Sequence, residues 1–143
     1  LEKQGVLELA SDIRYLLALA VADTRSQTVT LSPTARHRAV GRALEVIHAN
    51  DGKIPIPDVC RYAAVSARTL SRAFKEQFGI STKQYTVATR LAGVRRTLRQ
   101  GRISVTDAAG RYGFWHLGQF SADYHAMFGE LPSDTLKNRP GLS

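Results

Sequence analysis

From Val6 to Val21 apolar residues fall at 6, 9, 10, 13, 16, 17, 20 and 21. That spacing places them on one stripe of an amphipathic helix. Residues 24–31, TRSQTVTL, break the pattern and read as a linker. Ser32 then offers a hydroxyl cap and Pro33 the preset φ of a first helical position, so a second helix is expected over about 33–50, with Val40, Ala43, Leu44 and Ile47 inward. Asn50, Asp51 and Gly52 end it. A short helix follows from Pro57 to about Ala63, with a tight turn at Ala64 and Val65. Ser66 caps a helix that Gly79 closes, and Ser81 with Gln84 forms a capping box for a long helix over 82–100. The same cycle then recurs: a short helix over 104–112, a turn at Gly113 and Phe114, a longer helix from His116 to Phe128 ended by Gly129, and a last one from Pro132 to Asn138. No stretch alternates for long enough to predict a strand, so the chain reads as all-α.

The recurrence is visible in the residues themselves. A shift of 49 places Asp58 on Asp107; a shift of 50, after the turn, places Leu70 on Phe120, Ser71 on Ser121, Phe74 on Tyr124, Phe78 on Phe128 and Gly79 on Gly129. Two helix-turn-helix subdomains joined by a long linker helix, preceded by an amphipathic N-terminal helix, are the expected architecture. The corresponding segments are 1–31 (N-terminal helix and linker), 32–81 (first subdomain), 82–100 (linker helix) and 101–143 (second subdomain). The matched aromatic positions recur at i, i+4 and i+8, which assigns Phe74, Phe78, Tyr124 and Phe128 to packing rather than to base stacking. The chain opens at Leu1 inside a helical pattern, so we read it as part of a longer protein.

Composition narrows the function. At 143 residues, 43% hydrophobic and 22% charged, the chain fits one or two compact units and neither disorder nor a collagen. No apolar run reaches the roughly 18 residues that a bilayer span requires, so a soluble protein without a membrane partner is expected. A single cysteine, Cys60, excludes internal disulfides and a thiolate zinc cage, and reads as a small buried thiol rather than a redox sensor. Glu45 and His48 have the spacing of a bundle metal ligand pair, but that chemistry needs a second copy, so no metal and no cofactor are expected. With no phosphate loop, no catalytic triad and no paired carboxylates, we expect no enzyme.

Charge carries more information. Lys and Arg total 20 against 12 Asp and Glu. Residues 34–100 hold thirteen of those cations against four acids, whereas 1–33 and 101–143 are close to balanced. A concentrated positive field attracts polyanions, nucleic acid first among them. On the helix starting at Ala67, Leu70, Phe74 and Phe78 take the inner face, leaving Arg68, Ser71, Arg72 and Lys75 outward. A major groove is about 12 Å wide, admits one helix, and offers guanine O6 and N7 to an Arg fork. Arg68 and Arg72 are therefore the expected base readers, with Lys75 on phosphate. The linker helix of 19 residues, about 28 Å long, approaches the roughly 34 Å between successive major grooves. Its Arg90, Arg95, Arg96 and Arg99 are placed near phosphates or against the acids Glu76 and Asp107. Ser66 and His116, at the starts of the two recognition helices, are further candidates for phosphate contact. Gln119 can read adenine. Because no Arg or Lys lies between 112 and 136, the second subdomain is expected to discriminate less.

Residues 36–139 resemble the DNA-binding domain of the AraC/XylS family of bacterial transcription regulators. The resemblance rests on VSARTLSRAFKEQFGIS at 65–81, on Tyr85 followed by Arg90-Leu91, and on Gly113-Phe114 followed by Phe120, Tyr124, Phe128-Gly129 and Pro132. It implies a sequence-specific cytoplasmic regulator of double-stranded DNA, usually an activator, working near RNA polymerase with an upstream domain. A homodimer through that domain or through the N-terminal helix would follow. By position in the family pattern, Arg68, Ser71 and Arg72 match base-facing slots of the first recognition helix, and Leu117, Gly118, Gln119 and Ala122 those of the second. The sequence departs from the pattern at Trp115-His116 and Ala122, where the family usually has a Ser-Asp pair and an Arg; Trp115 is expected to pack against the last helix. Thr82 stands where Pro is common, and Ala64 where Gly is common, which at positive φ implies strain of about 1 kcal/mol. The competing class is a helical interaction module whose basic face meets an acidic protein.

Overall fold

The structure is a computed structural model that describes residues 31–140; the expected N-terminal helix over 6–21 lies outside them. The described residues form seven helices and no strand: α1 Pro33–Ala49, α2 Ile56–Ala63, α3 Ala67–Phe78, α4 Thr82–Gln100, α5 Val105–Arg111, α6 Leu117–Phe128 and α7 Pro132–Lys137. They divide into two compact units between Thr86 and Val87, so the division falls inside α4.

Local chemistry sets the helix ends. Ser32 and Ser66 accept from the backbone N–H groups of Ala35 and Thr69, each at 3.2 Å, and Ser104 from that of Asp107 at 3.1 Å. Ser81 and Gln84 close the reciprocal box, Gln84 N–H donating to Ser81 Oγ at 3.1 Å and Ser81 N–H to Gln84 Oε1 at 2.8 Å. Together these satisfy N-terminal donors that a helix otherwise leaves without a partner.

In the first unit α1, α2 and α3 bury Val40, Ala43, Val46, Ile47, Val59, Tyr62, Leu70 and Phe74. The periodicity had pointed to Val40, Ala43 and Ile47; it missed Val46, which is buried, while Leu44 is only partly so. Cys60 belongs to the same core, and burial pushes its thiol above the usual range. Phe78 departs from the expectation of an inner position. It is 39% exposed and stands at the rim of the core, its ring 5.5 Å from that of Phe74 and 5.3 Å from that of Tyr85. It is the last residue of α3 before the Gly79 cap, and its ring meets Phe74 on its own helix and Tyr85 on α4. His48 Nε2 and the Tyr85 hydroxyl are 2.8 Å apart, which gives His48 a structural partner on α4.

The second unit repeats this plan with one substitution of parts. Leu91, Val94 and Leu98 on α4 have the same spacing as Val40, Ala43 and Ile47 on α1, and they pack on Ala108, Ala109, Tyr112, Phe120 and Tyr124. The later part of α4 therefore serves the second helix-turn-helix as α1 serves the first. Burial raises the Tyr124 phenol, whose hydroxyl meets Thr135 Oγ1 at 2.7 Å, while Thr135 Oγ1 donates to Glu130 at 2.6 Å. This chain of buried polar groups fixes α7 to α6.

Candidate nucleic-acid interface

The two turns that aim the recognition helices share a backbone scheme. In the first, Ala64 is left-handed at φ 59°, its N–H reaching Arg61 O at 3.1 Å, and Val65 N–H reaches back to Cys60 O at 3.2 Å. In the second, Gly113 has φ 82°, with matching bonds from Gly113 to Gly110 O at 3.0 Å and from Phe114 to Ala109 O at 2.9 Å. Ala64 thus adopts the conformation that glycine fills in the other turn, at the cost of Cβ crowding. After this shared step the turns diverge. Val65 is followed at once by the Ser66 cap, whereas Phe114 is followed by Trp115 before the His116 cap. The second turn is one residue longer, and the extra residue is the tryptophan.

Arg68, Arg72 and Lys75 are exposed on α3, with Ser71 half-buried between them. None of the three cations forms an ion pair among the described residues. Glu76 instead lies 3.5 Å from Arg36 Nη1 on α1, a link inside the first unit, rather than pairing with the arginines of α4 as was expected. The outer face of α3 is therefore a strip of undirected positive charge on a helix locked at both ends. Ser66 uses its side chain in the cap and also donates to Thr69 Oγ1 at 2.9 Å.

Arg90 and Arg95 occupy a different environment from the exposed Arg96 and Arg99. The Arg90 guanidinium carbon lies 4.6 Å from the Phe114 ring centre, and that of Arg95 lies 4.8 Å from that of Phe128. Both Nε atoms are buried without a hydrogen-bond partner among the described residues, and burial lowers the affinity of Arg90 for its proton. These two side chains pack on aromatic faces as well as carrying charge. Arg95, Arg96 and Arg99 also line an open depression of about 370 Å³ with Ala92, Gln100 and Phe128.

On α6 the amide of Gln119 donates to Asp123 Oδ1 at 2.9 Å, which ties these two side chains of the outer face together. Gly118 and Ala122 are exposed, and a Cβ added to Gly118 would meet nothing within 4 Å. His116 is the N-cap residue of α6 but makes no side-chain cap bond. Trp115 is not buried against the last helix as expected: it is 78% exposed, with the edge of its ring near Gly110 of α5, and Phe114 fills the core position that precedes the cap. The change of repeat shift from 49 to 50 marks this insertion in the sequence.

A pair of helix-turn-helix units, one presenting a cationic helix face with no ion pair among the described residues, defines the class of nucleic-acid-recognising helical domains. Comparison with known proteins gives the family. A helix-turn-helix domain family model matches residues 59–138. The XylDLEGF operon transcriptional activator of Pseudomonas putida is 35% identical over 100 residues, covering 67% of this chain and 31% of that protein. The transcriptional activator RhaS of Shigella boydii is 38% identical over 79 residues, covering 55% of this chain and 28% of that protein. Among solved structures, a probable AraC family transcriptional regulator from Rhodopseudomonas palustris superposes with a TM-score of 0.66 at 37% identity, covering 71% of this chain and 98% of that one. An AraC-type regulator from Chromobacterium violaceum gives a TM-score of 0.68 at 26% identity, covering 75% and 96%. The chain belongs to the AraC/XylS family of helix-turn-helix domains. It spans less than a third of the length of the two activators.

Proposed function

We propose that this chain is the DNA-binding part of a sequence-specific transcription activator acting on double-stranded DNA in the cytoplasm. The observation that carries this reading is the exposed row of Arg68, Arg72 and Lys75 on a capped helix, three cations with no acid paired to them among the described residues. Burying such a helix in a major groove exchanges counterions for phosphate contacts and offers two guanidinium forks to guanine edges. Arg68, Ser71 and Arg72 read bases, and Lys75 and Ser66 contact phosphate. On the second unit Gln119 and Gly118 face bases and His116 meets phosphate. Arg96 and, through their outer nitrogens, Arg90 and Arg95 approach the backbone.

Both recognition helices enter successive major grooves of one duplex in this reading. Contact with RNA polymerase, and dimerisation through an upstream domain or the N-terminal helix, complete the proposed activator. The names of the two activators and the family membership support regulation as the role.

Binding measured against salt at fixed duplex sequence, together with competition by scrambled duplex, tests the proposal. The expected result is an affinity that falls linearly in log salt and a retained preference for one sequence. Equal affinity for scrambled and selected duplexes would identify the basic face as a site for an acidic protein instead.

A further inference from the structure

The repeat sets each residue of α6 against its counterpart on α3, and the exposed positions differ in kind. Arg68 corresponds to Gly118, Arg72 to Ala122 and Lys75 to His125. Where the first unit presents long cations, the second presents open space and a methyl group. At the start of the same helix stand two exposed apolar side chains: Leu117, 41% exposed in the first turn of α6, and Trp115, the inserted turn residue, 78% exposed with its ring edge near Gly110 of α5. Gln119, the one amide on the face, is held by Asp123.

We infer that the second recognition helix reads the 5-methyl groups of thymine by apolar contact, with Leu117 and Trp115 as the contacting side chains and with Gly118 and Ala122 admitting the helix close to the base edges. The inference rests on the DNA-binding reading above. The major-groove edge of thymine is distinguished by that methyl, which apolar side chains contact directly. A helix stripped of Arg and Lys cannot fork to guanine, and its hydrogen-bonding amide is already engaged. The surface that remains complements a methyl group better than any other feature of the groove. Trp115 holds its indole in solvent at an added residue that the core does not need, since Phe114 fills the place Val65 fills in the first unit.

The test uses the whole chain and a duplex recovered by selection from a random pool, compared with the same duplex carrying deoxyuridine in place of each thymine in turn. Uracil keeps every hydrogen-bonding group and lacks only the methyl. Loss of one contacted methyl should weaken binding about fourfold. The double variant Trp115→Ala/Leu117→Ala, altered only at exposed positions, should bind thymine and uracil duplexes equally. Trp115 is the single tryptophan, so its fluorescence should change on addition of the duplex.

Indifference of the parent chain to uracil throughout, or undiminished discrimination by the double variant, overturns methyl readout while leaving DNA binding intact. A chain that prefers no duplex over scrambled DNA overturns the DNA-binding reading and this inference with it. A double variant that keeps DNA affinity and methyl discrimination but loses activation with RNA polymerase assigns the patch to a protein and overturns the inference.

Discussion

The two helix-turn-helix units are built on one plan and finished differently. Each packs a short helix and a recognition helix on a preceding helix, through Val40, Ala43 and Ile47 in one case and Leu91, Val94 and Leu98 in the other. Each turn uses a left-handed residue and a bond from the next N–H five residues back. The inner faces coincide because both must bury aromatics at the same pitch. The outer faces diverge because nothing in the fold constrains them, and α3 carries cations with no ion pair among the described residues where α6 carries Gly118, Ala122 and a hydrogen-bonded Gln119–Asp123 pair. Conservation of the packed side with freedom on the exposed side allows one scaffold to hold a strongly charged probe and a weakly charged one.

The largest effect expected from disturbing this plan is on stability. Phe74→Ala removes a fully buried ring from the first core and should cost about 3–5 kcal/mol, read by denaturant unfolding. An equal loss from Phe120→Ala in the second core would show that the two units are alike in packing, whereas a much smaller loss would show that the shared plan ends at the backbone.

Next comes recognition. Arg72→Ala should weaken binding at the preferred duplex by about 1–3 kcal/mol and relax one base position, seen by titration against single-base variants. Unchanged affinity would remove Arg72 from the interface.

The turns give a smaller and reciprocal pair. Ala64→Gly should stabilise the chain by about 1 kcal/mol, and Gly113→Ala should destabilise it by about as much, because both sites have positive φ. Thermal or denaturant melts of the two variants check the sign. Changes of the same sign in both would contradict a common turn geometry.

The smallest effect expected is that of Gln119→Ala, less than about 1 kcal/mol of DNA affinity, since any base contact must first give up the bond to Asp123. A loss exceeding that of Arg72→Ala would reverse the assignment of the dominant half.

Most of this fold was legible in the chain. The caps at Ser32, Ser66 and Ser81 and the glycines at 79 and 129 act through local backbone hydrogen bonds and φ, which residue type decides by itself; α4 begins and ends where the capping box and Gly101 place it. What escaped depends on distant partners. Sequence could not tell that Glu76 meets Arg36 across the first unit rather than an arginine of α4. Nor could helical spacing show that Arg90 and Arg95 lie over Phe114 and Phe128, because both arginines also suit an outward position. The place of Trp115 escaped because the one-residue change in repeat shift marks an inserted turn residue but carries no information on whether its ring is buried. On the candidate interface, the outer face of α3 followed from periodicity alone, while the engagement of Gln119 by Asp123 required coordinates.

The central claim, that sequence discrimination is concentrated on the cationic face of α3, is tested most directly by selecting binding sites from a random duplex pool with the parent chain and with Arg68→Ala/Arg72→Ala at the same salt. The account predicts a parent motif containing a guanine-bearing segment that the double variant no longer selects, with the remainder of the motif retained. Recovery of the same guanine-bearing motif by both proteins would contradict it.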